Sequence, residues 1–142
     1  MNTLAQRLGI DFPLIQAGMG GIAGPALAAA TAEAGAAGVL ALYRSPPALI
    51  GSLLLQTRRL TGRPFGVNLI PELVTREALH AQIDATLAAS GANVFFTFFG
   101  LPDPQSCTTL QQAGRAFLIM VGDVAALHAA AAQGADAVIL QG

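Results

Sequence analysis

One phrase recurs along the chain and limits what it can fold into. "AEAGAAGVLAL" is followed by "TGRPFGVNLI", "SGANVFFTF", "QAGRAFLIMV" and "QGADAVILQ". Each holds a helix tail, a glycine, two or three turn residues, then a run of Val, Ile, Leu or Phe. The glycine suits the left-handed residue just past a helix, where a Cβ is strained. The apolar run is short and continuous, not alternating, as in strands covered on both faces of a parallel sheet.

Strands are expected at residues 13–16, 38–42, 65–69, 93–98, 116–121 and 137–141. Their starts lie roughly 20 to 30 residues apart, which suits a βα unit. Gly24-Pro25 and Ser45-Pro46 put Pro at helix starts, and Thr75 and Asp123 suit N-caps. Leu79, Ile83 and Leu87 form one stripe toward a sheet, and Leu49 and Leu53 do the same one helix earlier. The chain therefore reads as six βα steps, the last without its helix. An open doubly wound sheet accepts that grammar, and so does part of an eight-stranded βα barrel, which needs about 250 residues when whole.

Composition sharpens the reading. The 142 residues are 54% hydrophobic and 11% charged, against roughly 25% charged for an average soluble domain. Such a chain must bury most of itself or associate. With a net charge of −1 and no basic block, nothing favours nucleic acid or an anionic membrane surface, and neither is expected as a partner. Trp is absent and Tyr43 is the only Tyr, which argues against a base-stacking platform. Residues 20–43 match a membrane span in length, but Pro25, Glu33 and the glycines break them into helix, turn and strand. "MNTLAQRLGIDFP" lacks the apolar region of a signal peptide, so a cytoplasmic protein is expected. The single cysteine, Cys107, is expected as a free, partly buried thiol, with a nucleophile as the alternative.

The first strand runs into a glycine-rich loop. Gly18-Met19-Gly20-Gly21-Ile22-Ala23 formally fits G-x-G-x-x-G/A after a strand, which would bring backbone N–H groups to a pyrophosphate. The second strand, however, ends in Leu42-Tyr43-Arg44, with no acid for a ribose hydroxyl; Arg44 keeps an NADP 2′-phosphate as a reading. Pro25 also starts the helix beyond the glycines, leaving residues 18–23 as an extended loop. A plain connection without a ligand is the other reading. His80 and His128 lie mid-helix as surface or packing residues, and Glu72, Glu77 and Asp84 read as a solvated helix face. No cluster has metal-ligand spacing.

"PLIQAGMGG…PALAAATAEAGAAGVLAL", "FGVNLI", "FFTFFGLP" and "AAAAQGADAVILQG", in that order, resemble the N-terminal part, roughly two thirds, of the nitronate monooxygenase (2-nitropropane dioxygenase) family. Related flavin barrels, including an enoyl-reductase branch, share much of this pattern. The resemblance implies an α/β fold: an incomplete parallel (β/α)8 barrel of TIM type, one partial domain over residues 1–142, without its last two βα units. It implies FMN at the C-terminal face of the strands, and oxidation of an alkyl nitronate by O2 to a carbonyl compound and nitrite. The alternatives are an FMN- and NAD(P)H-dependent enoyl-thioester reductase, or a non-catalytic barrel fragment completed by assembly.

Carried over by position, Ala17, Gly18 and Met19 would lie against the flavin ring. Gly18 stands where the family commonly has Pro, which loosens the loop by about 0.5–1 kcal/mol. Asn68 would offer its amide to the ring's polar edge, or else cap the loop after its strand. Gln141 would reach the ribityl or phosphate region, and Thr97 and Gly100 would shape the pocket wall. The family's histidine follows the strand that ends like Gln141-Gly142, beyond this sequence, so no catalytic residue is assigned. An unclosed barrel leaves two sheet edges, so self-association and weak or absent activity of the chain alone are expected.

Overall fold

The computed structural model describes residues 3–91 and 93–142. A short helix, α1 (Thr3–Leu8), comes first, then α2 (Pro25–Glu33) and β1 (Gly38–Ala41). Next come α3 (Pro47–Leu60), β2 (Phe65–Leu69), a 3-10 turn (Pro71–Leu73), α4 (Arg76–Ala89) and β3 (Val94–Phe99). The last elements are α5 (Pro104–Gln112), β4 (Phe117–Val121), α6 (Val124–Ala132) and β5 (Ala137–Leu140). The sheet has five strands in the order β1-β2-β3-β4-β5, every pair parallel. Sheet order follows chain order, without the reversal that defines a doubly wound sheet.

Five of the six expected strands form. Residues 13–16 make only one parallel bridge, Ile15 to Ala37. Pro13 brings no N–H to a ladder, and the Leu14 N–H turns back to Phe12 O at 2.8 Å. Gln16 extends the pairing with its side chain. Its Oε1 accepts from Val39 N at 3.1 Å and its Nε2 donates to Val39 O at 3.3 Å. The segment therefore still runs beside β1.

Helix ends follow local chemistry. Thr75 Oγ1 accepts from Ala78 N, and Asp123 Oδ1 from Ala126 N, as N-caps should. Asp103 caps α5 in the same way, through Gln105 N and Ser106 N. Gly35, Gly114 and Gly134 follow α2, α5 and α6 with φ of 91°, 66° and 76°. The expected glycine exit fails for α3 and α4, which leave through the extended residues Thr61 and Ser90.

The helices cover one face of the sheet. Phe65, Val67, Phe96, Phe98, Phe117 and Ile119 pack there against Ile50, Leu54, Ile83 and Leu110. In α4 the expected stripe holds, with Leu79 and Ile83 buried and Leu87 partly so. In α3 it is rotated by one residue: Ile50, Leu54 and Thr57 face inward, Leu53 is partly buried and Leu49 is exposed. Thr57 can face the core because its hydroxyl donates to Leu53 O at 2.9 Å. Helix α2 sits so close to β1 that a Cβ on Gly38 would stand 1.9 Å from Ala28 O.

On the second face, α1 seals only the N-terminal half. Ala5, Leu8 and Ile10 pack on Val39, Phe95, Ala116 and Leu118. Gly66 makes room for the Phe95 ring, which a Cβ would meet at 2.4 Å. Arg7 Nε bonds Asp136 Oδ1 at 2.7 Å, and Asp136 Oδ2 accepts from Phe117 N at 2.9 Å, tying α1 to the start of β5. The C-terminal half of this face stays uncovered by α1. Residues 20–43 divide into loop, α2 and β1, and among the described residues no helix is long and apolar enough to cross a membrane.

Candidate functional site

Strand periodicity sends every second side chain to the second face. Asn68 and Thr97 sit there as direct cross-strand partners, and Phe99 is paired with Met120, and Met120 with Ile139. Where α1 stops covering them, a cavity of about 240 Å³ opens at the strand tips. Ile15, Gln16, Ala17 and Gly18 close one side; Asn68, Thr97, Met120 and Ile139 close the other. None of the lining residues is titratable. The polar edges come from Gln16, Asn68 and Thr97.

The polar groups are held in place. Asn68 Nδ2 donates to Thr97 Oγ1 at 3.1 Å and to Thr97 O at 3.4 Å. Thr97 Oγ1 donates to Val67 O at 3.3 Å. Gly18 runs against Asn68, so that a Cβ on it would stand 2.3 Å from Asn68 Cβ.

Of the residues singled out from the sequence, Ala17, Gly18, Asn68 and Thr97 meet at this cavity. Met19 does not line it; the residue is 40% exposed, and its carbonyl accepts from Ile22 N and Ala23 N. Gln141 is exposed beyond β5, its N–H donating to Val121 O at 3.0 Å. Gly100, with φ 88°, turns the chain after β3 beside Glu72. The sequence reading missed Gln16, Met120 and Ile139. It took the apolar strands as buried on both faces and assigned no direction within them. The alternation that separates Val67 from Asn68 and Phe96 from Thr97 carried that information.

The glycine loop, residues 18–24, spends four of its seven N–H groups on local carbonyls. Met19 donates to Ala17 O, and Ile22, Ala23 and Gly24 donate within the loop. The loop runs on to Gly24, as expected, with a turn at residues 20–22 and Tyr43 packed over Gly20. Arg44 lies 5.6 Å from the Tyr43 ring centroid and borders a larger, shallower cleft of about 430 Å³ with Pro46, Leu73 and Val74. The buried amide of that cleft, Gln82, already donates to Leu42, Tyr43 and Ser45 carbonyls. The smaller cavity is the better candidate because its polar groups converge at the strand tips.

Other reactive side chains lie elsewhere. His80 Nε2 meets Asp103 Oδ2 at 3.0 Å, pinning α4 to α5, and Ser106 Oγ donates to the same carboxylate oxygen at 2.7 Å. Burial would raise the Asp103 carboxyl, but the hydrogen bonds from Ser106 and His80 outweigh it and hold it below the ordinary carboxylate range. His128 is exposed on α6. Cys107 is buried and free, its Sγ 3.4 Å from Gln133 Oε1. Burial and the nearby Asp103 charge push its thiol up to about 11, so it is no ready nucleophile. Among the described residues no group of His, Cys, Asp or Glu could hold a metal ion.

Comparison with known proteins adds findings of three kinds. The sequence model described as "Nitronate monooxygenase" matches residues 2–142. The chain is 37% identical, over 143 residues, to the (3aS,4S,5R,7aS)-5-hydroxy-7a-methyl-1-oxo-octahydro-1H-indene-4-carboxyl-CoA dehydrogenase of Rhodococcus jostii (strain RHA1), covering 99% of this chain and 38% of that protein. It is 30% identical, over 175 residues, to the nitronate monooxygenase of Pseudomonas aeruginosa, covering 99% of this chain and 50% of that protein. Among solved structures, FabK from Thermotoga maritima superposes with a TM-score of 0.89 at 27% identity, covering 100% of this chain and 44% of that one. The nitroalkane oxidase from Streptomyces ansochromogenes follows with 0.79 at 32% identity, covering 97% and 48%. The chain thus spans half or less of these proteins, a smaller share than the two thirds the resemblance led to expect.

Proposed function

Because the chain belongs to the nitronate monooxygenase family, we propose that its strand-tip cavity seats the ring of FMN and that its substrate is an alkyl nitronate, oxidised with O2 to a carbonyl compound and nitrite. The sheet, with residues 13–16 beside β1, then corresponds to part of a (β/α)8 barrel. The match to FabK over the whole of this chain supports that reading.

The observation that carries the proposal is the uncharged cavity with Asn68 and Thr97 at its edge. Its roughly 240 Å³ suits a flat, neutral ring and falls short of the usual ligand-pocket range of about 300–1,000 Å³. The lining therefore fits the ring portion of FMN and offers no cation to its phosphate. Bound there, FMN supplies the redox chemistry, and the protein orients and shields it. Ala17 and Gly18 would meet the ring with backbone, while Ile15, Met120 and Ile139 keep water from it. Met19 follows Gly18 in the chain and Gln141 follows β5, and either would meet the cofactor only outside the cavity. A nitronate arrives already deprotonated, so a lining without a base is compatible with it.

Charged hydrogen bonds are worth about 1.5–3 kcal/mol each. Lacking such contacts to the phosphate, the chain alone binds FMN weakly and turns over slowly or not at all. β5 pairs only with β4 among the described residues, and Leu140 beside that edge is 69% exposed. Association through such edges would cover them.

A second reading rests on the relatives. Two proteins named as carboxyl-CoA dehydrogenases share 37% and 32% identity with this chain, which favours thioester redox chemistry on the same ring. The two separate in one experiment on the FMN-loaded chain. Nitrite release from ethyl nitronate in air, with little NAD(P)H oxidation, supports the first. Rapid oxidation of NAD(P)H by an enoyl-CoA thioester, without nitrite release, supports the second.

A further inference from the structure

We infer that the cleft beside Arg44 is a second ligand site, separate from the strand-tip cavity, and that it takes an aliphatic acid carrying a hydroxyl at its far end. The inference does not depend on the FMN reading.

The cleft shares no lining residue with the strand-tip cavity. Its roughly 430 Å³ falls within the usual range for small ligands, about 300–1,000 Å³. Pro46, Pro47, Leu73, Val74 and Ala78 give it apolar walls, and Arg44 is the one charged residue that lines it. Arg44 is exposed at the rim. Its guanidinium rests near the Tyr43 ring and pairs with no carboxylate among the described residues. The acids next to the walls in sequence are turned elsewhere: Glu72 lies beside Gly100, and Glu77 faces Arg76 at 3.9 Å. The start of α3 adds positive character. Pro46 and Pro47 open that helix without a side-chain cap, and its first turn holds no acid to offset the dipole.

The floor is polar in a different way. Gln82 is only 4% exposed and lines the cleft. One end of its amide meets three carbonyls, those of Leu42, Tyr43 and Ser45, at 3.4, 3.3 and 3.0 Å. The other end has no partner among the described residues. A buried polar atom left unpaired costs about 1–3 kcal/mol, so a partner there is stabilising. A hydroxyl can donate or accept, and it completes the amide whichever way the amide stands. From rim to floor the cleft thus presents a cation, apolar walls and an unpaired amide end. An anion, a run of methylenes and a hydroxyl complement them in that order.

Tyr43 reports on the site. It is the only Tyr of the chain, and Trp is absent, so the tyrosine emission comes from a residue of the cleft wall. The flavin-free chain is titrated with 6-hydroxyhexanoate, hexanoate and 1,6-hexanediol while that emission is followed. The hydroxy acid should bind saturably and about tenfold tighter than either comparator, because each comparator lacks one of the two polar ends. Arg44→Gln should remove the advantage over the diol, and Arg44→Lys should keep part of it. Arg44 is exposed, so neither change threatens the fold. No saturable change in Tyr43 emission overturns the site. Equal binding of the hydroxy acid by wild type and Arg44→Gln overturns the anion at the rim. Hexanoate binding as tightly as the hydroxy acid overturns the hydroxyl at the floor.

Discussion

Gly18 approaches Asn68 so closely that a Cβ on the glycine would stand 2.3 Å from Asn68 Cβ and 2.8 Å from its Cγ. No ordinary side chain fits there unless β2 or the loop moves. The residue that looked like a loosening of the loop is a requirement of its packing. Gly18→Ala is expected to destabilise the chain by about 1–3 kcal/mol, the usual range for overpacking. A urea midpoint shift with an unchanged m-value would check it, and flavin binding should fall in parallel.

Gly38→Ala separates fold from site. Its Cβ would strike Ala28 O at 1.9 Å, between α2 and β1 and away from the cavity lining. A loss of about 1–3 kcal/mol in urea unfolding is expected, with flavin affinity per folded molecule unchanged. A selective loss of flavin binding would contradict the placement of the site.

The His80–Asp103–Ser106 contact sets an acid limb for stability. Because the folded Asp103 carboxyl lies below its ordinary value, its contribution is full above the unfolded carboxylate range. It is lost as pH falls through the folded value. Melting temperature measured from pH 7 down to pH 2 should decline more steeply in wild type than in Asp103→Asn, which starts lower.

Cys107 supplies the alkaline counterpart. Its folded value near 11 lies above the reference of 9.0, so burial favours the neutral thiol. The contribution is intact below about pH 9 and drains away as pH rises toward 11. At pH 8 a thiol reagent should label the native chain far more slowly than the urea-unfolded chain. Equal rates would show that the thiol is accessible.

Leu140 tests the open edge. At tens of micromolar, sedimentation should show associated species. Leu140→Lys, which puts a charge beside the unpaired β5 edge, should shift them toward monomer. A monodisperse monomer for both would remove edge pairing from the proposal.

The repeating glycine-to-apolar phrase was enough to place five strands, because buried parallel strands have a composition of their own. It overcounted at residues 13–16, where the backbone pairing stops at one bridge and the Gln16 side chain continues it. The stripe of α4 was legible from spacing; that of α3 was not, because Thr57 enters the core through a hydrogen bond that hydrophobicity cannot register. Asn68 and Gly18 were found by resemblance. Their mutual contact, and Thr97's part in it, depend on strand register and were invisible one residue at a time.

The most direct measurement compares FMN with lumiflavin, its ring without the ribityl phosphate, in titrations of the chain by flavin fluorescence. A cavity that grips only the ring should bind both saturably, with affinities within a few-fold, and Gly18→Ala should weaken both together. FMN binding hundreds-fold tighter than lumiflavin would mean that this chain holds the phosphate. No saturation by either would mean that the strand tips do not form a flavin seat.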